Sequence, residues 1–151
     1  MTPDEVAETL DDVANSSQRF LNTKPLTQNH YSRTRGVYRS FGLTLYYGLE
    51  KRLCSVVVDA LCGPQVRAEG IAFTGCVPSE LEQWMVDRAE AYEPHPELNY
   101  FSGGVPGSES LGLVIGVQRA GDHLLTQPVF LSREVWDGPT EGLPEEVSVI
   151  H

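Results

Sequence analysis

The sequence predicts an α+β domain in which a mainly antiparallel sheet of five to six strands carries two helices on one face. Stretches of helical period and stretches of period two follow one another in blocks: a helix, three strands, a helix, then two or three strands. Ten prolines and fourteen glycines indicate frequent turns, and therefore several short strands instead of a helix bundle. A doubly wound sheet would need strands and helices to alternate one by one, which this order does not show.

The first helix is predicted from residue 3 to about residue 21. Thr2 is a candidate N-cap, Pro3 suits the first helical position, and Glu5 completes a capping box. A buried stripe at helical spacing is formed by Val6, Leu10, Val13 and Phe20. The polar residues 22–35 that follow are interpreted as a loop.

Three strands are predicted next, as an antiparallel meander. The first begins at Gly36 and has period two as far as Tyr47: one face carries Val37, Phe41, Leu43, Leu45 and Tyr47, with Arg39 as the exception. The second, Leu53 to Leu61, is almost continuously apolar, which is typical of a central strand covered on both faces. The third runs from Val66 to Thr74. Glycine-containing turns at residues 48–52 and 63–64 separate them.

The second helix is predicted to begin at Pro78. Its apolar stripe consists of Leu81, Trp84, Met85, Ala89 and Tyr92. Residues 93–110 contain three prolines and three glycines and are interpreted as a long loop, a kind of segment that is often functional.

The chain is then predicted to end in a hairpin and one further strand. Leu111 to Arg119 and Leu124 to Leu131 form the hairpin, across a turn that contains Gly121. Pro128 indicates an edge position for the later strand, because proline cannot donate to a neighbouring strand. Val147 to Ile150 is a candidate last strand.

Length and composition predict a single domain, residues 1–151, in a reducing compartment. A chain of 151 residues buries roughly 70% of its unfolded surface, so it needs no disulfide or metal for its core. Its longest apolar runs are shorter than 18 residues, and its acidic start does not fit a signal peptide. Three cysteines, an odd number partly within apolar runs, are typical of reduced thiols. We therefore expect a cytoplasmic protein that does not enter a membrane.

Recognisable catalytic and metal-binding motifs are missing from the sequence. The cysteines and histidines lack the close spacing of zinc ligands, and neither a nucleophile elbow nor a P-loop occurs. The sequence therefore predicts a non-enzymatic protein without a cofactor or metal. The alternative is a small enzyme or ligand-binding domain whose site is assembled from dispersed residues such as Asp59, Cys76 and His95. For Asp59 a turn at a strand end is the competing interpretation, and for Cys76 it is packing.

Charge is distributed unevenly along the chain. The net charge of −10 disfavours binding to nucleic acid, because phosphates would be repelled. Between Asp12 and Glu50 there is no acidic residue, whereas five basic residues occur there: Arg19, Lys24, Arg33, Arg35 and Arg39. Alone, this stretch resembles a basic nucleic-acid patch. We favour the other interpretation, in which these side chains pair with carboxylates of the same protein.

Acidic residues concentrate in the first helix, in the second helix with the loop after it, and in the tail. Acids beside aromatic residues can steer and anchor a basic protein surface. The predicted partner-binding residues are Asp11, Asp12, Glu93, Glu97, Tyr100 and Phe101. The competing interpretation is a solvated face whose aromatic residues fold onto the core.

Two segments, Gly70 to Met85 (GIAFTGCVPSELEQWM) and Leu111 to Asp122 (LGLVIGVQRAGD), resemble immunity proteins of bacterial polymorphic-toxin systems. The resemblance is one of type, extends over the whole chain, and carries no family binding residue onto this sequence. It implies a small acidic inhibitor that occludes the basic cleft of a cognate toxin. A structural subunit of a larger assembly is the third possibility.

Overall fold

The computed structural model of the chain describes residues 1–13, 34–48, 50–95, 98–138 and 144–147, without the side chains of residues 11–13 and 34. Within these ranges the helices are α1 (Pro3–Val13), α2 (Pro78–Tyr92) and α3 (Arg133–Asp137). The strands are β1 (Thr34–Tyr38), β2 (Leu43–Tyr47), β3 (Leu53–Val58), β4 (Arg67–Ala68), β5 (Ile71–Ala72), β6 (Asn99–Phe101), β7 (Val105–Ser108), β8 (Leu113–Ala120) and β9 (His123–Leu131). Short 3-10 turns lie at Arg39–Phe41 and Glu145–Val147.

In the described part of the chain, seven strands form one antiparallel sheet in the order β1-β2-β3-β9-β8-β7-β6, and β4 and β5 form a separate hairpin. The predicted α+β class with an antiparallel sheet is confirmed. The sheet has more strands than expected because two hairpins were not recognised. β1 and β2 occupy the place of one predicted strand, and β6 and β7 lie inside the predicted loop 93–110.

The break between β1 and β2 depends on Gly42. Its φ of +62° lies in the left-handed region, where a Cβ atom is unfavourable. A Cβ at this position would also lie 2.4 Å from the backbone nitrogen of Gly63, so no other residue fits without movement of the neighbouring turn. The chain therefore reverses here through a 3-10 turn instead of continuing as one strand.

The two long helices share one face of the sheet, as predicted. Cross-strand partners point to the same face, and one such row runs across four strands through Leu45, Val56, Phe130 and Leu113. Helix α1 packs beside Leu45 through Val6, and α2 packs over the part of the sheet that contains Leu113. The acidic sides of both helices therefore face away from the sheet.

The opposite face is covered by α3 and by the turn Glu145–Val147, neither of which was predicted as a helix. Their contacts form a second apolar layer with the sheet, made of Tyr46, Val57, Val114, Val129, Leu131, Val135 and Val147. Val147 was predicted to begin a strand, but it belongs to this turn, and residues 148–150 lie outside the described ranges.

Strand β9 lies in the middle of the sheet, so the edge position predicted from Pro128 is wrong. The ladder between β3 and β9 ends at the pair Val57–Val129. Beyond it the Thr126 N–H donates to the carbonyl of Cys76 at 2.8 Å, which supplies a different neighbour on that side. Pro128 lies between these two pairings, where the missing donor costs no strand contact.

The predicted third strand, Val66 to Thr74, is a short hairpin instead. β4 and β5 reverse at Glu69 and Gly70, which both have positive φ angles. By contrast, α2 begins at Pro78 as expected, and β8 and β9 follow the predicted hairpin closely. Helix α1 is described to Val13, and the rest of the predicted first helix lies outside the described residues.

Candidate functional site

The acidic side of α2 is a consequence of how this helix packs. Leu81, Met85 and Ala89 are spaced four residues apart and are buried against the sheet. Trp84 also packs against this part of the core, and most of the other residues of the helix are polar. Pro78 suits the first helical position because it has no N–H to leave unsatisfied there.

Four carboxylates of α2 lie off the buried stripe: Glu80, Glu82, Asp87 and Glu90. In the described part of the chain none of them has an ion pair. The only basic residue of the helix, Arg88, is held by carboxylates elsewhere. The solvent side of α2 therefore has an uncompensated negative charge.

Arg88 joins three segments of the chain. Its Nε lies 2.8 Å from Glu69 Oε1, and its Nη1 lies 2.9 Å from Glu93 Oε1. The same Nη1 donates to the Ser110 hydroxyl at 3.1 Å, and that hydroxyl donates in turn to Glu93. The hydrogen bond to Glu69 raises the pKa of Arg88, so this side chain stays charged. Glu93, predicted as a partner-binding residue, is thus engaged inside the fold.

Tyr100 and Phe101 point to different environments because neighbours on a strand face opposite sides. Tyr100 is 56% exposed, and its hydroxyl donates to Glu82 Oε1 at 2.9 Å. This hydrogen bond raises the pKa of Tyr100. Phe101 is half-buried, with its ring centroid 5.3 Å from that of Trp136. Tyr100 is therefore available to a partner, and Phe101 belongs to the core.

Tyr92, the last residue of α2, is a second exposed aromatic residue. Its apolar spacing predicted a buried position, but 79% of it is exposed because it follows the last packed position, Ala89, at the end of α2. We use the name acidic–tyrosine surface for these six residues: Glu80, Glu82, Asp87, Glu90, Tyr92 and Tyr100. The acidic run of α2 was visible in the sequence, but the hydrogen-bond partner of Tyr100 was not.

The structure does not bring all of the predicted partner-binding residues together. The backbone of Asp11 and Asp12 belongs to the last turn of α1, which packs over β2 and β3. Tyr100 lies on β6, five positions from β2 in the sheet, or about 24 Å of sheet width. The side chains of Asp11 and Asp12 and all of Glu97 lie outside the described residues.

A cavity of about 480 Å³ opens next to the acidic–tyrosine surface. Its walls come from the residues after α2, the start of β6, the segment between β7 and β8, and the first residue of α3. The polar side chains that line it are Glu93, His95, Asn99, Ser108, Glu109, Ser110 and Arg133. Eight of the nine lining residues belong to the predicted loop 93–110, and the ninth is Arg133 of α3.

The three residues of the alternative prediction occupy different places. Burial opposes ionisation of Asp59, but N–H donors from Cys62 and Leu61 outweigh it and lower the pKa of this carboxyl. Asp59 therefore forms a turn at the end of β3. Cys76 donates its thiol proton to the carbonyl of Ala72 at 3.2 Å. His95 lines the cavity, and it is separated from Cys76 by the length of α2, roughly 22 Å.

The contacts of Arg35 distinguish the two interpretations of the basic stretch, a nucleic-acid patch or pairing with carboxylates of the same protein. Its Nη2 lies 3.7 Å from Glu146 Oε1, and its guanidinium lies 5.8 Å from the ring centroid of Tyr46. This basic residue therefore pairs with a carboxylate of the same protein, as the favoured interpretation expects. Arg39 is exposed, whereas Arg19, Lys24 and Arg33 lie outside the described residues.

Neither a cluster of metal ligands nor a membrane-spanning helix is found among the described residues. No three His, Cys, Asp or Glu side chains of the described residues are grouped so that they could hold a metal ion. None of the described helices combines the length and the apolar character needed to cross a bilayer. The three cysteines, all in described ranges, form no disulfide.

Comparison with protein-family models, with curated proteins and with solved structures finds no match to this chain. The candidate site is therefore defined by contacts within the chain itself: the acidic–tyrosine surface and the cavity beside it.

Proposed function

We propose that this chain is a non-enzymatic inhibitor that binds a protein partner through the acidic–tyrosine surface. In its most specific form it is an immunity protein, acting in the cytoplasm, that neutralises a cognate toxin by covering a basic cleft. The observation that carries the proposal is the hydrogen bond between Tyr100 and Glu82, which holds an exposed aromatic ring against a carboxylate of the acidic helix α2.

Two physical effects support this function. Unpaired carboxylates on α2 add to the field of a chain with net charge −10, and such a field raises the association rate with a basic protein. Exposed tyrosines bury a large area with few rotatable bonds, which is why they are common at the energetic centre of interfaces. Charge accelerates the encounter, and the two tyrosines then anchor the complex.

The test begins with isolation of the tagged chain from its native host and identification of the protein bound to it. Association and dissociation rates with that purified protein are measured at several salt concentrations. The variant Glu82→Gln/Glu90→Gln removes two charges and leaves Tyr100 an acceptor oxygen. We expect its association rate at low salt to fall about fivefold, with a weaker salt dependence.

A matched control removes two charges elsewhere on the surface. Glu8 and Glu50 are exposed and lie on α1 and between β2 and β3, in the half of the sheet that α1 covers, so Glu8→Gln/Glu50→Gln reduces the net negative charge equally. We expect this control to change the association rate by less than about twofold. Equal effects of the two variants would show that net charge alone, and not this surface, governs binding.

One observation favours the alternative of a ligand-binding domain or small enzyme, namely that His95 lines a cavity. Thermal unfolding of the wild-type chain and of His95→Ala is measured in a panel of small metabolites. A compound that raises the Tm of the wild type only would support a His95-dependent ligand site. A panel without such a compound would argue against it.

A further inference from the structure

We infer that the cavity at the end of α2 is an anchor pocket for one basic side chain of the protein partner. The occupant is an arginine or lysine whose guanidinium or ammonium group lies between Glu93 and Glu109. This inference rests on the proposed function and names the group of the partner that the site recognises.

The cavity has the size and the lining that a long basic side chain requires. Its volume of about 480 Å³ accommodates one such side chain with some water. Pro94 and Leu98 supply apolar wall for the alkyl stem, which basic residues commonly bury while their charged end stays polar. The carboxamide of Asn99 adds a hydrogen-bonding group.

Two carboxylate oxygens in the lining remain available to a donor. Arg88 and Ser110 both contact Oε1 of Glu93, and Arg133 contacts Oε1 of Glu109 at 2.9 Å. Among the described residues, Oε2 of Glu93 and Oε2 of Glu109 have no hydrogen-bond or ion-pair partner. A guanidinium or ammonium group has several donors and matches these two acceptors.

The local charge balance favours a cation over an anion. The ion pairs made by Glu93, Glu109 and Arg133 of the lining extend to residues outside it, and this network joins four carboxylates to two guanidinium groups: Glu69, Glu93, Glu109 and Asp137 with Arg88 and Arg133. The group is therefore net negative before any ligand binds. An anionic ligand would face this surplus, whereas a basic side chain reduces it.

The cavity is also placed where a partner would reach it. Glu93 directly follows the exposed Tyr92, and Asn99 directly precedes the exposed Tyr100. A protein that covers these two tyrosines thus passes over the cavity opening, so one of its basic side chains can enter.

The pocket is tested without the partner, using N-acetyl-arginine amide as the probe. N-acetyl-citrulline amide, which has nearly the same shape and no charge, is the matched control. Two-dimensional NMR of the ¹⁵N-labelled chain follows the backbone amide signals of His95, Asn99 and Ser110. We expect the arginine probe to shift these signals and the citrulline probe to leave them in place. Equal shifts with the arginine and citrulline probes, or shifts confined to other residues, would contradict the proposed pocket.

Three variants give effects of different sign. Glu109→Gln removes an acceptor charge and is expected to weaken binding of the arginine probe about three- to fivefold. Arg133→Gln removes a competing cation, since Arg133 is paired with Glu109, and is expected to strengthen binding by a similar factor. Glu134→Gln, an exposed residue outside the lining, is expected to leave binding unchanged. Weakening in both pocket variants would indicate a structural effect and contradict the inference.

The same variants, measured with the partner, separate this inference from the proposed function. If the partner binds Glu109→Gln as tightly as it binds the wild type, the anchor role is overturned while the proposed function stands. If no protein partner binds but the arginine probe does, the proposed function fails, and the occupant is a free organic cation instead of a side chain.

Discussion

At the scale of single residues, the phenol of Tyr46 links distant parts of the chain. Its hydroxyl donates to Oε2 of Glu146 at 2.7 Å, across 100 residues of sequence. Burial, followed by the charge of Glu146, raises the pKa of Tyr46 far above its usual range. Because Glu146 is buried as well, the fold depends on this donor to satisfy the carboxylate.

Removal of this hydroxyl is expected to destabilise the protein. Tyr46→Phe keeps the ring but leaves the buried carboxylate of Glu146 without its donor, at a cost of about 1–3 kcal/mol in the free energy of unfolding. Urea unfolding measures this difference. Tyr92→Phe is the control because Tyr92 is 79% exposed, and a change within about 0.5 kcal/mol is expected there. Equal stabilities of the two variants would contradict the role assigned to Tyr46.

Two buried tyrosines predict a loss of stability at alkaline pH. Burial is the main cause that raises the pKa of both Tyr46 and Tyr47 above 10. A raised pKa in the folded state means that stability is complete below pH 10 and decreases as the pH rises above it. Absorbance of the six tyrosines between pH 9 and 13 should show two that ionise only as the protein unfolds. Ionisation of all six before any loss of circular dichroism would contradict this prediction.

At the scale of secondary-structure elements, glycine positions determine where strands reverse. Gly42 and Gly121 both have a φ of +62°, but their surroundings differ. A Cβ at Gly42 would lie 2.4 Å from a backbone nitrogen, whereas a Cβ at Gly121 would meet nothing within 4 Å. The turn at Gly42 is thus restricted by close packing as well as by backbone conformation.

A comparison of two alanine variants separates these two effects. Gly121→Ala is expected to cost about 1 kcal/mol, from left-handed backbone strain alone. Gly42→Ala should cost at least about 2 kcal/mol more, because backbone atoms of the turn at Gly63 must also move. Chemical denaturation of both variants measures the difference. Similar losses would show that the close approach at Gly42 is unimportant.

The elements that the sequence predicted correctly carry local signals. Pro78 begins α2, and Gly121 lies in the turn between β8 and β9, so these boundaries agree closely with the structure. β6 and β7 have only three and four residues, too few for a period-two pattern to emerge. The edge position predicted for β9 from Pro128 is wrong. The pairing of β3 with β9 ends at Val129, so Pro128 needs no backbone donor although β9 lies in the middle of the sheet, and only tertiary contacts decide this.

At the scale of the whole molecule, the acidic charge lies over both halves of one sheet face. Helix α1 covers the half that contains β2, and α2 covers the half that contains β8. The sequence alone treated both helices as one partner-binding region. Under the proposed function, their separation means that a partner of ordinary size would be steered by both helices but would contact mainly one of them.

Neutralising each helix in turn distinguishes the two regions. Asp11→Asn/Asp12→Asn is expected to lower the association rate with the partner less than twofold and to leave the dissociation rate unchanged, because charges outside an interface act only by steering. Tyr100→Ala, in contrast, should raise the dissociation rate about tenfold or more, as expected for an anchor residue. Stopped-flow and surface plasmon resonance measure these rates. A larger effect of Asp11→Asn/Asp12→Asn than of Tyr100→Ala would place the interface on α1 instead.

The amino-acid sequence by itself determined the α+β class, the start of α2, the last hairpin and the large negative charge, because composition and short-range periodicity are local properties. Only the tertiary structure decided which carboxylates remain available. Glu93 is engaged by Arg88, whereas Glu82 holds the exposed Tyr100, although both acids belong to the same acidic run. Ion pairs form between segments that are distant in sequence, as between Glu69 and Arg88, so their partners depend on how the fold brings those segments together.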